Sequence, residues 1–319
     1  MTAIAELKTS ELKTSLPSVA FKRVLFATDL SEASSTAFWY SVRIAQQHQS
    51  TLWVVHVMPR EARSPVPLDS LPHDMDRRRV SAERELDTLA TTLAGQDIAF
   101  HTLLERGSIR EVLLSQIARN DIDLLVMGTH GRSGFNKLAV GSVAEELLRL
   151  APCPVLTVGP HVTTPPETFR RILFATDFGP ASSRAVPLVL SLAKTHNAKL
   201  FLLNLIVNMP LASSSVAAYA PAAYAADDVA DWTANARKRA ARKLRELIPP
   251  DALAQEPEYL VSADFTAEGI LDAARLHQAD LIVMGANHTI SARLAAHIPW
   301  ATGHAVLCGA ACPVLTIAE

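Results

Sequence analysis

The chain has 319 residues, about two domains at roughly 150 residues each, of which 49% are hydrophobic and 19% charged. That composition can bury two sizeable cores and excludes wholesale disorder. Thirty Lys+Arg against thirty-two Asp+Glu give a net charge of −2, which argues against a dedicated nucleic-acid binder, and three scattered cysteines suit a reducing compartment better than a disulfide framework.

Residues 1–20 carry ELKTS twice, Glu6–Ser10 and Glu11–Ser15, and read as a flexible solvated tail. Glu6, Lys8 and Glu11 occupy the place where a signal peptide needs an apolar run. Next come a strand over Arg23–Ala27 and a helix over Ser31–His48, with Ser31 as its cap and Glu32 in its first turn. A strand at Leu52–Met58 precedes a charged helix at Asp74–Ala94. Strand Ile98–Leu104 leads through Gly107 to helix Ser108–Arg119, and strand Leu124–Met127 is followed by helix Ser142–Arg149 and strand Val155–Val158. Short β-branched runs, apolar on both faces and separated by helices, predict a five-stranded parallel sheet covered on both sides. Right-handed crossovers make it a doubly wound α/β domain.

The pattern then starts again. Phe21–Phe38 (FKRVLFATDLSEASSTAF) and Phe169–Val186 (FRRILFATDFGPASSRAV) share eleven of eighteen residues at an offset of 148. DLLVMG at Asp123–Gly128 matches DLIVMG at Asp280–Gly285, and Cys153-Pro154 matches Cys312-Pro313. A repeat this long is a domain duplication. It predicts domains at 21–159 and 169–319, joined by a Pro-rich linker at 160–168. The 27 uncharged residues from Leu200 to Ala226 are interrupted by Asn204, Asn208, Pro210 and Pro221, so they read as a strand and a loop. No membrane span is expected. A cytoplasmic protein is.

In open α/β sheets ligands bind beyond the carboxyl ends of the strands, where the strand order reverses. Two segments stand out there: Ala27-Thr28-Asp29, and the loop from Gly128 through His130, Gly131, Arg132 and Gly134 to Gly141-Ser142-Val143. Four of the chain's twelve glycines fall within fourteen residues of that loop. Glycines admit close backbone approach, and the helix opened by Gly141-Ser142 offers unpaired amides and a favourable dipole, so the physical chemistry is that of a phosphate site. The plain alternative is a glycine-rich connection without a ligand. Neither a Walker Gly-Lys-Ser/Thr nor a GxGxxG after the first strand is present.

The spacing Gly128-x2-Gly131-x9-Gly141-Ser142 resembles the ATP-binding signature of universal stress proteins. The Ala-Thr-Asp strand end, His56-Val57, the GSVAEELL helix and the terminal CPVLTV strand extend the likeness over nearly all of 21–159, and in weaker form over 169–317. The resemblance is to a tandem member of the family, whose fold is Rossmann-like, of the adenine nucleotide alpha hydrolase-like kind. It implies an adenine nucleotide with its base near Ala27, Thr28 and Asp29 and the backbone of Val57, its nucleoside flanked by Met127 and Gly128, and its phosphates on Gly131, Gly141, Ser142 and Val143. Arg132 and Lys137 are phosphate contacts or solvated side chains. Mg would be held through phosphates and water, with no protein cage. The family also implies a role in stress response through nucleotide-dependent binding or signalling, an unidentified protein partner, and room for a homodimer. A slow ATPase, a nucleotidyl-transfer enzyme and a nucleotide-free scaffold are the competing classes. Neither a positioned base nor a GxSxG elbow points to catalysis beyond weak ATP hydrolysis.

The second copy keeps Ala175-Thr176-Asp177 and Met284-Gly285 but has His288 in place of Gly131, and either Ile298-Pro299 or Trp300-Ala301 in place of Gly141-Ser142. One competent site, in the first domain, is expected. The space near Trp300, Ile298 and Leu205 is a candidate for an apolar ligand or for ordinary core. Arg237–Arg245, with six cations in nine residues, reads as a solvated helix face, as does Arg77-Arg78-Arg79. Cys153 and Cys312 read as core, and His56 as a residue that orients backbone.

Overall fold

The structure, a computed structural model, describes residues 21–59, 71–129, 140–163, 165–206, 226–262, 266–286 and 299–318. The first half runs β1 (Arg23–Thr28), a 3-10 turn (Glu32–Ser34), α1 (Ser35–His48), β2 (Thr51–Pro59), α2 (Leu71–Ala94), β3 (Ala99–Gly107), α3 (Ile109–Arg119), β4 (Leu124–Gly128), α4 (Ser142–Leu150) and β5 (Val155–Val158). The second runs β6 (Arg171–Ala175), α5 (Pro180–Thr195), β7 (Lys199–Leu205), α6 (Ala226–Leu247), β8 (Glu258–Ser262), α7 (Thr266–Leu276), β9 (Leu281–Ala286), α8 (Pro299–Gly309) and β10 (Val314–Ala318). Every element expected in the first half is present, with each end within four residues of the expected one. The tail at 1–20 lies outside the described residues.

One expectation fails locally. Ser31 does not cap a helix. Its N–H and hydroxyl both donate to Asp29 Oδ1, at 3.1 and 2.6 Å, and the 3-10 turn intervenes before α1. A carboxylate two residues away is the stronger acceptor and takes both donors.

Strands of the first half lie in the order 3-2-1-4-5, all parallel, and the second half repeats that order. The two sheets expected from the repeat are halves of one ten-stranded sheet, because β5 and β10 pair antiparallel, Thr157 opposite Val314 and Val155 opposite Thr316. Two threonines reinforce the seam symmetrically: Thr157 Oγ1 donates to Val314 O at 3.1 Å and Thr316 Oγ1 to Val155 O at 3.2 Å. Each half thereby covers an edge that the other would leave unpaired.

Alternate strand residues feed two cores. Val24, Phe26, Val126, Ile172 and Phe174 face α1, α2, α5 and α6, while Leu25, Leu125, Met127, Leu173 and Ile282 face α3, α4, α7 and α8. Both cores run through both halves. Near the first of them, Phe21, His48, His196 and Phe169 stack edge to face, with His48 and His196 ring centres 5.9 Å apart. His196 Nδ1 hydrogen-bonds Thr168 Oγ1 at 2.8 Å, and its Nε2 is buried without a partner among the described residues.

Candidate functional site

A cleft of about 680 Å³ opens at the carboxyl ends of β1, β2 and β4, where the strand order reverses between β1 and β4. Nine of the eleven residues expected at the site line it: Ala27, Thr28, Asp29, Val57, Met127, Gly128, Gly141, Ser142 and Val143. Gly131 and Arg132 lie outside the described residues, as do His130 and Lys137. Part of the wall goes beyond the residues expected, namely Ser81 and Glu85 on α2, Arg106 near the end of β3, and Arg78, whose run of arginines reads as a solvated face. Arg78 is exposed, yet it lines the cleft. Arg106 sits one residue before Gly107 at a strand end, and position alone could have flagged it.

The floor of the cleft is a tight turn. Leu30, a non-glycine, holds φ at 60°, and its N–H donates to Thr28 Oγ1 at 2.9 Å. Thr28 Oγ1 also shares a 2.9 Å hydrogen bond with Ser34 Oγ. Such a left-handed residue costs of order 1 kcal/mol or more and persists because its surroundings over-determine it. His56 Nδ1 lies 2.8 Å from Thr28 O. A carbonyl only accepts, so Nδ1 carries the proton and the ring fixes the end of β1, as expected.

The far wall is the start of α4. Gly141 N–H donates to Thr129 O at 2.9 Å, so this amide braces the protein itself. The next two, of Ser142 and Val143, open α4 and have no partner within it. Gly141 has φ −62° and ψ 145°, an extended conformation open to any residue. A Cβ there would come no closer than 3.5 Å to Thr129 O, ordinary contact. Among the described residues neither backbone strain nor packing requires glycine at 141. Among the described residues Asp29 and Glu85 offset Arg78 and Arg106 around the cleft, and the start of α4 presents the positive end of a helix dipole to it.

The second half repeats the turn but differs in where its helices begin. Phe178 holds φ at 62°, its N–H donates to Thr176 Oγ1 at 3.0 Å, and Asn204 Nδ2 donates to Thr176 O at 2.8 Å, as His56 does to Thr28. Asp177, however, takes Gly179 N–H at 2.8 Å and Ser182 Oγ at 2.7 Å, and α5 starts at Pro180, three positions earlier in the repeat than α1. Its first turn presses on β9, where a Cβ on Gly285 would lie 2.5 Å from Ser182 N. The helix-end bonds Ala151 N–H to Leu147 O and Ala310 N–H to Val306 O equate Ala151 with Ala310. Trp300-Ala301 therefore stands where Gly141-Ser142 stands, and α8 begins two residues earlier in the repeat, on a proline that has no N–H. Ile298, His288 and the side chain of Trp300 lie outside the described residues.

Elsewhere the six cations of Arg237–Arg245 are exposed on α6. Lys243 lies over the Phe178 ring and Arg245 over Tyr259. Burial pushes the Cys153 and Cys312 thiols up to about 12, which keeps them inert core residues. Among the described residues no group of three His, Cys, Asp or Glu could hold a metal ion, and no helix is long and apolar enough to cross a membrane.

Comparison with known proteins agrees with the repeat. The universal stress protein family matches residues 20–159 and again 168–318. The universal stress protein A homolog 1 of Coxiella burnetii is 33% identical over 144 residues, covering 43% of this chain and 96% of that protein, so it corresponds to one half. A universal stress protein from Archaeoglobus fulgidus superposes with a TM-score of 0.69 at 20% identity, covering 94% of this chain and 97% of its own. A Pseudomonas aeruginosa protein of unknown function gives 0.63 at 17% identity, covering 94% and 93%. At such identities these structures support the two-domain α/β fold alone. The chain belongs to the universal stress protein family, with two of its domains in tandem.

Proposed function

We propose that the first half binds ATP in the 680 Å³ cleft and that the protein acts in a cytoplasmic stress response through nucleotide-dependent contacts with a protein partner. The observation that carries this is Gly141. A glycine that no described neighbour requires stands directly before two amides with no partner within α4, and the absent side chain leaves room for something that approaches them. The cleft volume lies within the roughly 300–1,000 Å³ of small-molecule sites, and its fit to the group is good. Ala27, Thr28, Asp29 and the backbone of Val57 form the base end, Met127 and Gly128 the middle, and Ser142 and Val143 the phosphate end, with Gly131 and Arg132 as sequence-based candidates beside them. A divalent cation would be held by phosphate oxygens and water.

The bound nucleotide supplies a polyanion and a purine face. The chain supplies amides, a helix dipole and a rigid turn. Asp29 Oδ1 is engaged by the N–H and hydroxyl of Ser31, and binding rather than turnover is the proposed activity. Mass spectrometry of the purified protein for carried-over nucleotide, with calorimetric titration of Mg-ATP, tests this. One site per chain is expected. Two comparable sites, or none, would reject it.

A further inference from the structure

Two neighbouring amides at the entrance to α4 are held from opposite halves of the molecule. Gly141 N–H is held by Thr129 O of the first half, and Val140 N–H donates to Nε2 of His304, on α8 of the second half, at 3.1 Å. The acceptor role leaves Nε2 without a proton, so the neutral ring carries its proton on Nδ1, which faces Cys308 Sγ 3.9 Å away on the same helix. Val140 is buried, only 7% exposed, among core residues of both halves. A second contact ties α8 to the same corner: Leu307 O approaches Gly159 so closely that a Cβ there would stand 3.0 Å from it, while Thr129 Oγ1 lies 3.9 Å from the same point. The segment that aims the Ser142 and Val143 amides is thus clamped on one side by its own half and on the other by the second half.

We infer that His304 is a positioning residue for the nucleotide site of the first half: by holding the Val140 amide it fixes the entry of the chain into α4, and with it the direction of the amides that receive phosphate. The inference rests on the nucleotide reading of the cleft. It gives the second half a part in binding that needs no ligand of its own. By linkage, a nucleotide that orders those amides strengthens the contact across the seam by the same factor.

The substitution pair is set by ring geometry. The amide of glutamine reaches the place of Nε2 and can accept from Val140. That of asparagine reaches only the place of Nδ1. Calorimetry of the full chain with Mg-ATP should show His304→Asn weakened about five- to tenfold and His304→Gln within about twofold of the parent, the loss being that of one net hydrogen bond. In the parent, a scalar coupling between the Val140 amide nitrogen and His304 Nε2, read by NMR across the hydrogen bond, should be present, and it should vanish in H304N. Equal ATP affinity of parent and H304N, or H304Q folded but as weak as H304N, overturns the role of His304 and leaves the nucleotide site standing. A parent chain that binds no ATP overturns both. Should H304N not fold, H304Q and the parent coupling still decide, because absence of the coupling alone removes the clamp.

Discussion

The two halves keep the same scaffold bonds and differ where a ligand would touch. Asp123 accepts the N–H groups of Lys22 and Arg23, and Asp280 accepts those of Arg170 and Arg171. The positive φ at Leu30 recurs at Phe178, and that at Gln49 at Asn197. His56 and Asn204 differ in chemistry yet donate to the same carbonyl at the same 2.8 Å. Against that constancy, the helix after the first strand starts three positions earlier in the second copy, and the helix after its fourth strand starts two positions earlier. Among the described residues the helix starts are thus what differs around this end of the sheet, while the strand order and its turns are shared.

The comparison can be broken first at the core. Phe26 and Phe174 are equivalent and fully buried, in a cluster that runs through both halves. Truncating either to alanine should cost about 3–5 kcal/mol. Denaturant unfolding followed by two probes should stay a single transition. Two transitions, of which only one moves, would show the halves to be independent.

Acid should separate His196 from its surroundings next. Burial, and then the neighbouring His48, hold its pKa down to about 4 against an ordinary 6.5. As pH falls below 6.5 the unfolded chain takes up a proton that the folded one refuses. Stability present above that pH is therefore lost down to about pH 4, by about 2–3 kcal/mol. His196→Phe should flatten that loss in a pH series of urea midpoints. An unchanged slope would count against the depressed pKa.

Three substitutions probe the ends of the fourth strands and the helices after them. Ser142→Pro gives α4 the proline start of α8, at a helix position where proline is tolerated, and removes one phosphate-facing amide. ATP affinity should fall by about 1.5–3 kcal/mol, roughly 10- to 100-fold, at nearly unchanged stability. Gly285→Ala should destabilise by about 1–3 kcal/mol through overpacking on Ser182, whereas Gly141→Ala should stay within about 0.5 kcal/mol in stability while weakening nucleotide binding. A reversed pattern, with Gly141 critical to folding, would remove the main support for a ligand there.

A small effect is also expected from His56→Asn, which copies the second half and should change stability by less than about 1 kcal/mol, since the bond to Thr28 survives. Thermal melts measure it, and a larger loss would give His56 a task beyond that bond.

Periodicity and the repeat made most of the fold legible, because strands such as Leu124–Gly128 and Val155–Val158 are apolar on both faces and could be little else. The seam was not legible. Val155 and Val314 look like any buried strand, and whether an edge meets water or its copy is a matter of docking, not of local pattern. Gly141 and Ser142 were readable as a helix start with free amides. That Gly141 gives its own amide to Thr129, or that His304 reaches across from 164 residues away, depends on tertiary distances. Arg78 illustrates the converse: in a run of three arginines nothing local tells the one facing a cleft from its neighbours.

Joining β5 to β10 within one chain also fixes stoichiometry. A freestanding domain that pairs through that edge could exchange its mate for another, whereas here the two unlike copies travel in a permanent one-to-one ratio, and a further molecule cannot append itself to the sheet at that place. Any larger assembly must be built on other faces, with β3 and β8 the outermost strands.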